Sequence, residues 1–140
     1  MARLTREPID AAGLQDEARR PDCGAVVAFL GTSRNHHQGR DVLRLVYDAY
    51  EPMALEALGA IERGAVERHD IVSCTIVHRL GEVPMSEASV AVIVAAAHRG
   101  PAFDASRWAM DELKRTVPIW KKELFADGGE DWVEGRRLER

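Results

Sequence analysis

Hydrophobic and polar positions divide the chain into strand-sized and helix-sized segments. Residues 42–48 alternate, with Leu43, Leu45 and Tyr47 on one side and Arg44 and Asp48 on the other, the period of a half-buried antiparallel strand. Residues 90–97 are continuously apolar, with three valines and an isoleucine, and predict a central strand covered on both faces. Two further apolar runs of strand length occupy 25–30, which Gly31 ends, and 71–77. Shorter extended pieces are expected around 2–9 and 83–87.

The helical period appears at 52–69. Met53, Ala57, Ala60, Ile61 and Ala65 predict a buried stripe, Glu56, Glu62, Arg63, Glu67 and Arg68 the outer face, and Pro52 suits the first turn. A shorter helix is predicted over 11–20, capped by Asp10 and stopped by Pro21. A third starts at Pro101 or is capped by Asp104, and buries Phe103, Ala109, Met110 and Leu113. It stops near Arg115 or Thr116, because Pro118 disfavours helical backbone at Val117. Residues 126–130 are glycine-rich and charged, with Trp132 and Val133 beyond them as an apolar anchor. Such a tail is mobile alone and orders against a partner.

Several strand-to-strand links are too short for parallel crossovers. The expected fold is therefore α+β, a single domain over 1–140 with a mixed, largely antiparallel sheet packed by helices and a charged tail at 126–140. An apolar share of 46% and a charged share of 30% suit an ordinary globular chain. A formal charge of -4 without a long basic stripe argues against nucleic-acid binding. The longest apolar run is strand-sized, which gives no membrane span, and the first ten residues lack the apolar core of a signal peptide, so the cytoplasm is the expected compartment. Cys23 and Cys74 form neither a disulfide framework nor a metal-ligand spacing.

The local charge balance runs against the global one. His98, Arg99, Lys114, Arg115, Lys121 and Lys122 fall within 26 residues of an acidic chain, and Arg34 sits in a polar, glycine-bounded loop at 32–40. Arginine forks match phosphate or carboxylate, and crowded cations lower a lysine pKa, raising its neutral fraction as base or nucleophile. No nucleophile-elbow, phosphate-loop or dinucleotide glycine motif occurs, and no zinc-ligand grouping. Cys74 lies in an apolar strand, where thiols are inert, and the adjacent His36 and His37 would point apart. Two readings stand at this point: an anion-binding active site, or ordinary surface cations, with Arg115 and Lys122 the first candidates for the second.

Five stretches carry a family resemblance: GAVVAFLGTSRNHHQG at 24–39, LVYDAYEPMA at 45–54, HRLGEV at 78–83, AHRGPAFDA at 97–105 and MDELKRTVPIWKKE at 110–123. In them the chain resembles the large, catalytic subunit of molybdopterin synthase. The resemblance implies an α/β-hammerhead type of fold and a sulfurtransferase that inserts two sulfurs into cyclic pyranopterin monophosphate, making the dithiolene of molybdopterin. It implies no metal and no resident cofactor. The implied partner is a small ubiquitin-like sulfur carrier with a C-terminal thiocarboxylate, within a heterotetramer built on a homodimer of large subunits.

Carried over by position, the resemblance implies that Lys114 and Lys121 are catalytic. It implies that Thr32, Ser33, Arg34, His98, Arg99, Lys122 and Glu123 bind substrate, and that Phe29, Met110 and Arg136 line the pocket. Ser33 stands where a valine is common in the family, and Ser86 where a glycine is common. The alternative from another class is a non-catalytic scaffold that docks a ubiquitin-like partner.

Overall fold

The computed structural model describes residues 2–37 and 39–134. Among these described residues nine strands and three helices follow one another as β1(Arg3–Thr5), α1(Ala11–Ala18), β2(Ala25–Thr32), β3(His36–His37), β4(Arg40–Ala49), α2(Glu51–Arg68), β5(Ser73–Arg79), β6(Gly81–Pro84), β7(Ala88–Ala96), α3(Arg99–Thr116), β8(Ile119–Phe125) and β9(Glu130–Glu134). They form two sheets. The first has the order β1-β5-β7-β2, with only the β1–β5 pair parallel. The second has the order β3-β4-β8-β9, with β6 also paired to β4. The α+β class with a mixed, largely antiparallel arrangement is thus observed.

The apolar run at 90–97 becomes the interior strand β7. Val90, Val92, Val94 and Ala96 pack into the cluster built with α2 and α3, whereas Ala91 and Ile93 meet Leu14 of α1 on the opposite face. Coverage on both faces is why this strand has no polar alternation. Helix α1 is capped as its sequence predicts, the Asp10 carboxylate accepting the Gly13 N–H at 3.0 Å.

Several expectations are corrected. Strand β2 runs past Gly31 to Thr32, with a register shift between those two residues. A Cβ at Gly31 would lie 2.6 Å from Val90 Cγ1, so the glycine permits close strand contact and does not end the strand. In β4 the pairing to β8 shifts between Val42 and Arg44, leaving Leu43 as an extra residue. The bulge turns Leu43 outward, 56% exposed, and buries Val42 beside Leu45. Helix α2 buries Ala54, Leu58, Ile61, Glu62 and Ala65, and leaves Met53 exposed. Its apolar stripe is rotated from the predicted one because Glu62 turns inward: its carboxylate accepts the Ile76 N–H at 2.7 Å, a donor that the short β1, paired with Val77–Arg79, does not reach. Burial pushes the Glu62 carboxyl above its ordinary range.

Helix α3 starts at Arg99, two residues before Pro101. Proline is tolerated there because first-turn N–H groups have no intrahelical partner. Residues 126–134, predicted as a mobile tail, instead turn back through Gly128 (φ 89°) and add β9 to β8. Arg40 ties that turn down, pairing with Asp127 at 2.9 Å and lying 3.6 Å over the Phe125 ring. Among the described residues no helix is long and apolar enough to cross a membrane.

Ser86 sits at φ 72° in the turn between β6 and β7, the one described non-glycine residue in the left-handed region. That conformation costs a residue with a Cβ about 1 kcal/mol or more, offset in part on mutation by the greater unfolded-state entropy of glycine. Ser86→Gly is expected to stabilise the protein by roughly 0.5–1 kcal/mol in urea unfolding; a loss of stability would show that the turn is not strained.

Candidate functional site

The two sheets and the C-terminal end of α3 enclose a cavity of about 300 Å³. Phe29, Leu30, Gly31 and Thr32 from β2, Tyr47 from β4, His78 from β5, and Ser89 and Val90 from β7 form one side. Met110, Leu113, Lys114 and Val117 from the end of α3, with Ile119, Trp120 and Lys121 from β8, form the other. The wall is largely apolar, and its cations enter from two neighbouring elements.

Pro118 breaks the chain between those elements. Helix α3 ends at Thr116, buried Val117 and Ile119 hold the turn, and β8 returns antiparallel along β4. Lys114, one helical turn after Met110, and Lys121, the third residue of the strand, therefore face one space. Lys121 lies directly across from Tyr47, and Glu123 across from Leu45 on the same inner face. Burial pushes the Lys121 ammonium below its ordinary range, Lys114 and Arg34 push the same way, and Glu123 opposes them. Lys121 thus retains a larger neutral fraction than an exposed lysine, the state needed to take a proton or attack a carbonyl.

Lys122 is placed elsewhere. Successive strand residues point to opposite faces, so Lys122 lies outward, 3.1 Å from Glu130 and 5.4 Å from the Trp132 ring centroid. Lys122, expected to bind substrate, therefore does not line the cavity. Arg115, read as surface charge, is bound to Glu112 at 2.6 and 3.0 Å. Ser33 is partly buried, and its hydroxyl has no hydrogen-bond partner, as expected of a hydroxyl where an apolar side chain is usual.

His98 and Arg99 are not brought to the cavity either. They stand exposed at the N-terminal end of α3, beyond the far end of β7. Fifteen residues of helix separate Arg99 from Lys114, about 22 Å at 1.5 Å per residue. Phe29, Thr32 and Met110 do line the cavity, and Arg136 lies outside the described residues.

The cavity also contains groups that the pattern of the chain did not single out: Tyr47, His78 and Ser89. The Ser89 hydroxyl donates to the Gly31 carbonyl at 3.2 Å. Burial pushes the Tyr47 phenol up, with Ser89 partly offsetting it. The His78 ring stands 5.2 Å from the Tyr47 ring in an edge-on arrangement, and burial pushes its pKa down to about 4. Only the HR pair within HRLGEV hinted at His78. Neither cysteine lines the cavity, and burial pushes the Cys74 thiol up to about 12. Among the described residues no three His, Cys, Asp or Glu side chains converge as a metal site.

A family model described as MoaE protein matches residues 4–116. Over 137 residues the chain is 42% identical to a molybdopterin synthase catalytic subunit of Culex quinquefasciatus, covering 96% of this chain and 87% of that one. The fold is similar to the crystal structure of molybdopterin synthase from Staphylococcus aureus, with a TM-score of 0.87 at 35% identity over 92% of this chain and 93% of that one. A complex of subunits 1 and 2 of molybdopterin-converting factor from Helicobacter pylori shares the fold at a TM-score of 0.76 and 21% identity, over 95% and 88% of the two chains.

His78 gives the fold a defined response to acid. Its folded pKa, about 4, lies below the ordinary 6.5. Below pH 6.5 the unfolded chain binds a proton that the folded chain refuses, so stability is lost as pH falls through that window. At 1.36 kcal/mol per unit the loss approaches about 3 kcal/mol by pH 4. Urea unfolding at pH 7 and pH 4 should show wild type losing about that much more than His78→Gln; equal losses would mean that the imidazole is not held neutral.

Proposed function

The chain belongs to the MoaE family of molybdopterin synthase catalytic subunits, and on that premise we propose that its cavity is the site where sulfur is inserted into cyclic pyranopterin monophosphate. The observation that carries this reading is the convergence of Lys121 and Lys114 on one cavity, with the Lys121 ammonium disfavoured by burial and the exposed Arg34 outside the lining but within electrostatic reach of it.

In this reading the sulfur arrives as the thiocarboxylate at the C-terminus of a small ubiquitin-like subunit, whose tail enters the cavity. A thiocarboxylate supplies the nucleophilic sulfur itself, so the chain needs no cysteine nucleophile. What remains for the protein is to hold an anionic pterin, move protons and accommodate the released carboxylate. Arg34 and Lys114 supply positive charge, and Lys121, with its larger neutral fraction, acts as acid/base or accepts the acyl group. Apolar walls exclude water and strengthen each of these interactions. The subunit complex of the Helicobacter pylori fold neighbour supports a partner of this kind.

His98 and Arg99 enter this reading through a second copy of the chain. Among the described residues strand β2 pairs on one side only, with β7, and its segment 25–32 carries no charge while exposing Ala28, Phe29 and Leu30. Such an edge is a template for strand pairing. Two copies paired antiparallel along β2 would set the Ala25 end of one against the Thr32 end of the other. Because Ala25 lies opposite Ala96 in the first sheet, the His98–Arg99 end of one copy would then approach the cavity of its partner.

With pterin precursor and thiocarboxylated small subunit, Lys121→Ala and Lys114→Ala are each expected to lower dithiolene formation by about a hundredfold or more. Retention of near-normal conversion by either would remove that lysine from the mechanism. Absence of product from folded wild-type protein would favour a non-catalytic scaffold. Co-refolding Lys121→Ala with Arg99→Ala should restore activity that neither variant has alone; no recovery would place Arg99 in no shared site.

A further inference from the structure

His78 is 4% exposed, the last residue but one of β5, and its ring lines the cavity. Its Nδ1 lies 2.9 Å from the Arg79 carbonyl oxygen. A carbonyl only accepts, so Nδ1 must carry the hydrogen and Nε2 must hold the lone pair. The edge-on Tyr47 ring at 5.2 Å holds the imidazole plane from the second sheet. Among the described residues no hydrogen bond reaches Nε2, and His78 is one of the residues that line the cavity. This is an ordered acceptor with its other nitrogen already committed.

The rest of the wall makes such an acceptor unusual. Trp120 and the ammonium forms of Lys114 and Lys121 offer only donors, and the hydroxyls of Thr32, Tyr47 and Ser89 serve either way. Among the lining side chains His78 Nε2 is the one ring nitrogen with a free lone pair, the Met110 thioether being only a weak acceptor. Cations suit the phosphate of a pterin substrate, but its heterocycle also carries N–H and amino donors, which lose water on entering an apolar cavity and need acceptors there.

We propose that His78 Nε2 accepts a hydrogen bond from a ring N–H or amino group of the bound pterin, and so selects the heterocycle while Arg34 and the lysines take the anion. This rests on the reading of the cavity as a pterin site and adds the group that reads the ring. Burial, which keeps the imidazole neutral near pH 7, leaves the lone pair available and makes the ring a poor proton carrier. Its role is therefore binding and orientation, with proton transfer left to the lysines. A site that pairs a substrate N–H discriminates strongly against ligands lacking one, because its own buried group is then left unpaired.

Calorimetric titration of the full chain tests this with two probes, cyclic pyranopterin monophosphate and inorganic phosphate. His78→Phe keeps a ring beside Tyr47 and removes the acceptor. It should weaken pterin binding about tenfold while leaving phosphate affinity within about twofold. His78→Gln, whose amide oxygen reaches the place of Nε2, should recover most of the loss. If phenylalanine prevents folding, as a thermal melt would show, His78→Met replaces it in the same comparison. Unchanged pterin affinity in the acceptor-free variant overturns the proposal, as does an equal loss for both probes, or a glutamine variant no better than the acceptor-free one. Failure of wild type to bind the pterin at all removes the pterin-site reading and this proposal with it. Normal wild-type binding with an unaffected variant removes the proposal alone.

Discussion

The register of β8 on β4 is the constraint on which the site depends. Lys121 stands across from Tyr47 and faces the cavity, whereas Lys122 stands across from Val46 and faces away. A slip of one residue would exchange them. The buried side chains of Ile119, Glu123 and Phe125, all at even spacing on the same face of the strand as Lys121, hold the register against that slip. The bulge at Leu43 absorbs the mismatch at the far end, which lets Val42 meet Phe125 without shifting the pairing near Tyr47.

A second condition comes from the first sheet. Strand β7, covered on both faces, gives the cavity a rigid wall, and its neighbours β2 and β5 carry Phe29, Thr32 and His78 to the same end. The cations meet that wall from α3 and β8, across the break that Pro118 imposes. The result is a place where charge is expensive. Burial is the largest influence on both Lys121 and His78, and it acts on the two in the same chemical sense, favouring their neutral forms. One group is thereby made a better base, and the other is kept as a hydrogen-bond acceptor.

Much of this was legible beforehand, but unevenly. The α+β class, the central strand and the Asp10 cap follow from short-range rules of period and capping, and the structure contains them. The motif MDELKRTVPIWKKE brought Lys114 and Lys121 to notice together, and they do share the cavity. Helical periodicity misplaced Glu62, because one carboxylate that satisfies a strand N–H outweighs the charge pattern of its own helix. Alternation misassigned Leu43, since a bulge shifts the period without leaving a mark in composition. The glycine-rich stretch at 126–130 read as a tail because the residues that hold its turn, Arg40 on Asp127 and the Asp41 carbonyl on the Ala126 N–H, lie some eighty-five residues earlier.

What the sequence determined by itself is therefore local: which segments bury, where helices start and stop, and that an acidic chain concentrates cations near its third helix. Those properties depend on neighbours within a turn or two of the chain. The tertiary structure decided which cations meet. It brought Lys114 and Lys121 to one cavity with Arg34 within electrostatic reach, turned Lys122 outward, left His98 and Arg99 at the far end of an 18-residue helix, and placed His78 in the wall. Strand register and the crossing of two sheets set those distances, and both arise from packing between residues remote in sequence, which no local pattern encodes.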